Sequence, residues 1–165
     1  MFKHVSEEKT SMIVGVVSED DASISKLKLG AKVLLYGYLK DSVILNGQKP
    51  ATSAVLNIEC IEPFDKSKNE VNFVQLSGVV GKFYDSERKG AYTYHYVNVI
   101  CSISGKAGTI PVPVSIRTNK SEKLPFDTGD KVTIHGKVIS MRVPSGNGWS
   151  TICSKISYRK CLSIK

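Results

Sequence analysis

The stretch VQLSGVVGKFYDSERKGAYTYHYVNVICSIS, from Val74 to Ser104, decides the fold of this chain. An alternating apolar run is followed by a charged segment, and a second run then begins with Tyr92, Tyr94 and Tyr96. Alternate side chains of an extended strand share one face. The stretch therefore predicts two strands joined by a loop at 85–90, and the second strand has an aromatic face opposite an apolar one.

Short runs with a period of two residues continue along the whole chain, and no long amphipathic helical pattern interrupts them. They predict an all-β protein, with glycine-rich turns between the strands. The predicted strands are 12–18, 32–42, 53–61, 71–83, 92–104, 110–116, 131–143 and 151–158. Only 20–29 and 119–126 have a modest helical pattern. The polar segment at 65–70 separates a β-rich unit, 1–66, from a barrel domain, 71–165.

A shift of 99 positions brings two parts of the chain into register. Residues 29–33, LGAKV, fall on 128–132, TGDKV, and Gly37 falls on Gly136 without a gap. Such self-similarity is the mark of a repeated structural unit, although two unrelated hairpins give the same pattern. If the repeat is real, residues 1–66 are a partial second unit that holds only the last part of the barrel.

Composition limits the classes of function. The 165 residues carry 23 Lys and Arg against 15 Asp and Glu, a net charge of +8, which favours polyanionic partners. Four widely spaced cysteines form no C-x-x-C motif, and no catalytic or metal-binding motif is present, so we expect no enzyme, cofactor or metal. Without an apolar segment of membrane-spanning length, we expect a cytoplasmic protein with no membrane partner.

Residues 71–161 resemble the oligonucleotide/oligosaccharide-binding (OB) barrel of bacterial single-stranded DNA-binding proteins and of the related small primosomal protein. NFVQLSGVVGKFYDSE resembles the opening strand, commonly N-x-V-x-L-x-G-x-[VL], and YHYVNVICSIS resembles the second. TIPVPVSIR resembles the third, and LPFDTGDKVTIHGKVIS the fourth, commonly [LV]-x-K-G-D-x-V-x-V-x-G-x-[LI]. The resemblance implies a five-stranded OB-fold barrel whose strands bend at Gly78 and Gly136.

Two departures modify what this resemblance implies. The chain ends in RKCLSIK, where housekeeping members carry an acidic tip with Phe, and 1–66 has no counterpart in the single-barrel form. We therefore expect a homo-oligomeric accessory protein of a plasmid or phage, which binds single-stranded DNA during replication, recombination or transfer. RNA is the alternative ligand. The alternative function is an adaptor that binds proteins and has little affinity for nucleic acid.

The predicted contacts to nucleic acid are rings on which bases stack and cations that pair with phosphates. The rings are Tyr92, Tyr94, Tyr96, Trp149, Tyr36 and Tyr38. The cations are Lys82, Arg88, Lys89, Lys137, Arg142 and Lys155. Each has a plainer interpretation, since tyrosines suit strands and pack across them, lone tryptophans are usually buried, and charged hairpin tips are usually only solvated.

Overall fold

In a computed structural model of the chain, the described residues are 2–5, 10–17, 28–46, 49–64, 72–102, 108–119, 121–144 and 150–165. These residues form β-strands joined by turns and contain no helix, hence none able to span a membrane. The strands are β1 (Phe2–Val5), β2 (Thr10–Val16), β3 (Val33–Asn46), β4 (Lys49–Pro63), β5 (Val74–Lys89), β6 (Tyr92–Ser102), β7 (Thr109–Asn119), β8 (Lys131–Pro144) and β9 (Ser150–Ile164).

Strands β5 to β9 close into a barrel in the order β5-β6-β7-β9-β8, and β8 pairs back onto β5. All neighbouring strands are antiparallel except β7 and β9, which are parallel. Inward-facing aliphatic side chains fill the interior, and Val97, Val114 and Ile134 have no exposed surface. The all-β class and the five-stranded barrel of OB type are thus as the sequence predicts.

The N-terminal strands form an open sheet in the order β1-β2-β4-β3, with β1 and β3 at its edges. This sheet lies against the barrel, where β3 and β4 contact β7 and β9, and β2 contacts β8. Hydrogen bonds cross the boundary at Ser154, whose N–H donates to Ser53 Oγ at 2.9 Å. The Ser154 hydroxyl donates to the Met12 carbonyl at 2.8 Å. The N-terminal half is therefore packed on the barrel.

The open sheet repeats most of the barrel's strand pairing, with β3 offset from β8 by 99 residues and β4 offset from β9 by 100, as in Leu39 with Leu56 and Val138 with Ile156. β2 pairs in parallel with β4, and β3 pairs antiparallel with β4, as β7 and β8 do with β9. Gly37 lies opposite Ile58 and Gly136 lies opposite Tyr158, in each case next to a bulge. β1 is equivalent to the end of β6. As far as its described residues go, the sheet thus corresponds to the barrel without β5 and the first part of β6.

Equivalent glycines support the same correspondence. Gly30 and Gly129, 99 residues apart, both have a positive φ, of 85° and 96°, in turns closed by bonds from Ala31 N–H to Lys28 O and from Asp130 N–H to Asp127 O. A Cβ at Gly37 would collide with the Asn57 carbonyl, as one at Gly136 would with the Ser157 carbonyl. Glycine is required where two strand backbones approach this closely.

Several boundaries differ from those that the sequence predicts. β5 runs through 85–89 up to a two-residue turn at Gly90-Ala91, because the pairing of Asp85 with Tyr96 continues to Lys89 with Tyr92. A positive φ of 59° at Gly90 suits such a tight hairpin. The predicted loop at 85–90 is therefore wrong, and β1 lies where no strand was predicted.

The helix predicted at 119–126 is also wrong for the described residues of that segment. Residue 119 ends β7, and 121–126 are turns and irregular chain. Pro125 disfavours helical backbone at the residue before it. The apolar spacing instead reflects Phe126, which is 3% exposed in the barrel core and meets the Tyr158 ring edge-on, with centroids 5.7 Å apart. The second predicted helix, 20–29, lies outside the described residues except at its end.

Replacing Ser154 by Ala is expected to lower the free energy of unfolding by about 1–2 kcal/mol, because the Met12 carbonyl loses its buried donor. Urea unfolding of the full chain would measure this change. Ser163→Ala is the matched control, since Ser163 is exposed on the same strand. Equal stability of the two variants would contradict a net contribution from the hydrogen bonds between sheet and barrel.

Candidate nucleic-acid interface

The alternation along β6 separates a core face from an aromatic face. Val97 and Val99 are fully buried in the barrel core. Tyr92, Tyr94 and Tyr96 have the opposite parity and therefore point outward, as the sequence pattern predicts. Across the sheet, β5 places Lys89, Glu87 and Asp85 directly opposite these three tyrosines in turn.

The three rings differ in exposure along the strand. Tyr92 is 39% exposed, Tyr94 is half-buried and Tyr96 is only 6% exposed. The Tyr96 ring stacks with Tyr84 at a centroid distance of 6.4 Å, and its hydroxyl donates to Glu87 Oε2 at 3.3 Å. Of the three tyrosines of β6, Tyr92 and Tyr94 are therefore the ones whose rings are accessible to an incoming base.

Each of these rings has a cation close to it. The Arg117 guanidinium lies 4.6 Å from the centroid of Tyr92, and Lys89 Nζ lies 5.9 Å from that of Tyr94. Lys155 Nζ is 4.1 Å from the centroid of Tyr96. These are cation–π distances, and the positive charge therefore lies beside the surfaces on which a base would stack. We call Tyr92, Tyr94, Lys89 and Arg117 the tyrosine–cation patch.

Partial desolvation changes the acidity of the groups around Tyr96. Desolvation, supported by the nearby Glu87 carboxylate, raises the pKa of Tyr96 to about 12. Desolvation likewise raises the pKa of Tyr84 to about 12 and lowers the pKa of the Lys155 ammonium. Both tyrosine hydroxyls therefore stay protonated to a higher pH than a free tyrosine does.

Acidic groups limit how far a polyanion can extend along this face. Glu87 Oε2 lies 3.1 Å from Lys89 Nζ in an exposed ion pair, and Asp85 lies opposite Tyr96. An exposed pair of this kind contributes little to stability, so Lys89 can exchange Glu87 for a phosphate at small cost. The accessible, cationic end of the face is the end at Tyr92 and Arg117.

The other predicted contacts lie elsewhere in the fold. Arg88 pairs with Thr93 and therefore lies on the face opposite Lys89. Lys82 is exposed on β5, and Lys137 is exposed on β8 opposite Ser157. Tyr36 is 49% exposed and Tyr38 half-buried, both on β3 of the separate N-terminal sheet. Trp149 and the Arg142 side chain lie outside what the structure describes.

Two contributors were missed by sequence reasoning. Arg117 lies two residues after Ser115 on β7 and therefore on the same face of the strand. It lies opposite Tyr94, and only the pairing of β6 with β7 reveals this position. The position of Tyr84 beside Tyr96 could not be predicted, because β5 has register shifts on both sides of Phe83 that break its period of two. Neither residue type is unusual in a strand, and no local signal marks them.

The described residues contain no cluster of three or more His, Cys, Asp or Glu side chains that could hold a metal ion. A scan against models of protein families gave no match, and a search of curated proteins gave none either. The fold and this face therefore define the class of protein on their own: a closed five-stranded barrel of OB type with an aromatic and cationic outer surface.

Proposed function

We propose that the chain binds single-stranded DNA without sequence preference through the tyrosine–cation patch. The observation that carries this proposal is the pairing of accessible rings with cations, Tyr92 with Arg117 and Tyr94 with Lys89, on one barrel face. Unpaired bases stack on aromatic rings and contribute about 1–3 kcal/mol each. Because every base offers a suitable ring face, this stacking does not depend on sequence. Duplex DNA keeps its bases stacked internally and cannot use the patch in this way.

The cations supply the second part of the interaction. Arg117 and Lys89 lie close enough to the rings to contact the phosphate next to a stacked base, and phosphate contacts release counterions. The net charge of +8 acts in the same direction by attracting polyanions at long range. Because Tyr96 is covered and Asp85 and Glu87 lie beside it, the proposed binding surface extends from Tyr92 to Tyr94.

The order of strands and the resemblance of residues 71–161 support kinship with single-stranded DNA-binding proteins and the small primosomal protein. On that proposal, the chain acts in the cytoplasm as a homo-oligomeric accessory factor in DNA replication, recombination or transfer, carried by a plasmid or phage. RNA remains an alternative ligand, since a stacking surface does not by itself distinguish the two nucleic acids.

A protein-binding adaptor is the second candidate function, and one observation favours it. Pro113 and Ser115 point away from the core of β7 yet are buried, and β3 and β4 lie against this strand. The N-terminal sheet thus occupies part of the outer surface on which a longer DNA segment would extend. An adaptor would use the fold without needing that surface.

Titration of the full chain with fluorescent oligo-dT at two salt concentrations tests the proposal. We expect micromolar or tighter binding at low salt, steep weakening with added salt and much weaker binding of the matching duplex. An oligo-U arm identifies an RNA preference. Equal affinity for duplex and single strand, or no binding at low salt, would leave the adaptor as the better interpretation.

A further inference from the structure

In the part of the chain that the structure describes, the N-terminal sheet has the strand order of the barrel without an equivalent of β5. In the barrel, β5 joins two neighbours, because residues from Val74 to Val79 pair with β8 and residues from Gly78 onward pair with β6. The equivalents of β8 and β6 in the N-terminal sheet are β3 and β1, and these are its two edges. The described residues therefore leave a gap that corresponds to one strand.

The repeat defines which backbone positions border this gap. In the barrel, Val74 to Val79 lie opposite Gly136 to Lys131, which correspond to Gly37 to Lys32. Gly78 to Val80 lie opposite residues 101 to 99 of β6, which pair with 110 to 112 of β7. Residues 4 to 2 of β1 pair with the equivalent positions of β2, 11 to 13, and therefore take the same place in the N-terminal sheet. A strand that filled the gap would run antiparallel to β3 and β1 and would span the equivalents of residues 74–80.

Burial at equivalent positions shows what the missing strand does for the barrel. Val132 is 3% exposed and Ile134 is fully buried under β5. Their equivalents on β3, Val33 and Leu35, are both partly exposed, and Gly37 is exposed where Gly136 is buried. Edge strands that carry apolar side chains and open backbone groups are ready templates for another strand.

We propose that the gap between β3 and β1 binds an extended segment of a partner protein, which adds to β3 as an antiparallel strand. The barrel indicates the chemistry of this segment, because the inward positions of β5 hold Val74, Leu76, Gly78 and Val80. The partner segment thus has alternating aliphatic residues, with a small residue where the backbones approach closely.

A second copy of the chain is a poorer occupant. The segment with this pattern, β5, is already paired within the described barrel, with β8 at 74–79 and with β6 from Gly78 onward. Donating it to a neighbour would open a barrel whose core includes Leu76 and Val80. The site is independent of the tyrosine–cation patch, which lies on β5, β6 and β7.

A synthetic peptide with the sequence of residues 72–82, NFVQLSGVVGK, is a suitable probe for the full-length chain. We expect saturable binding by fluorescence anisotropy. We also expect bound peptide to slow hydrogen exchange at the amides of Leu34 to Tyr36 by about tenfold or more. The matched control is the same peptide with Leu76→Lys. It should bind at least about tenfold more weakly, because its charge would face apolar side chains.

Three outcomes would overturn the proposal. One is the absence of peptide binding and of added protection on β3. Another is equal binding of the control peptide, since this would indicate adhesion without strand pairing. The third is a dimer by sedimentation whose β3 amides are protected without peptide, because a second copy would then fill the gap. All measurements omit DNA, so their failure is separate from failure of the proposed DNA binding.

Discussion

Replacing Tyr92 and Tyr94 together by Ala is expected to weaken binding of single-stranded DNA roughly 30-fold or more, because two stacking contacts at about 1–3 kcal/mol each are lost. The salt dependence of binding should stay nearly unchanged, since no phosphate contact is removed. Tyr96 is left in place, because it is 6% exposed and its loss would disturb the barrel. Titration with labelled oligo-dT measures the effect.

Neighbouring cations on β5 provide the matched control for this prediction. Lys89 lies on the same face as the tyrosines, whereas Arg88 lies on the opposite face. Lys89→Ala should make the salt slope shallower by about 0.7, the value for one contact to a single-stranded phosphate. Arg88→Ala should leave the slope unchanged. A tyrosine double variant with an unaltered melting curve and wild-type affinity would show that DNA does not bind at this patch.

The largest expected loss of stability comes from Ile134→Ala, at about 3–4 kcal/mol, because a fully buried aliphatic side chain leaves a cavity in a closed core. The matched change at the equivalent position of the N-terminal sheet is Leu35→Ala. We expect about 1–2 kcal/mol there, since Leu35 is already partly exposed and less apolar surface is lost. Urea unfolding of both full-length variants gives the comparison.

The difference in stability loss between these two variants also tests whether the N-terminal sheet is open where the barrel is closed. Equal losses would mean that the N-terminal sheet encloses its inner face as completely as the barrel does, which would contradict an open gap at β3. Addition of the peptide of residues 72–82 should raise the stability of the wild-type chain more than it raises that of the Leu35→Ala variant. The reason is that the truncated side chain offers less surface to the added strand.

Local pattern was sufficient for much of the fold. The period of two between Val74 and Ser104 predicts strands and sets the parity that places Tyr92, Tyr94 and Tyr96 on one face. The shift of 99 residues, visible in LGAKV and TGDKV, anticipates the matching turns at Gly30 and Gly129. These features follow from backbone geometry, which neighbouring residues along the chain determine.

Other features arise only when distant segments meet. The sequence could not reveal that Tyr84, Lys155 and Glu87 cover Tyr96, because those contacts join β5 and β9 to β6. Nor could it place Arg117 against Tyr92, or distinguish the buried Ile134 from the partly exposed Leu35 at equivalent positions. Parity was determined by the sequence alone, whereas burial was decided by the tertiary structure, because exposure depends on which strand lies alongside and parity does not.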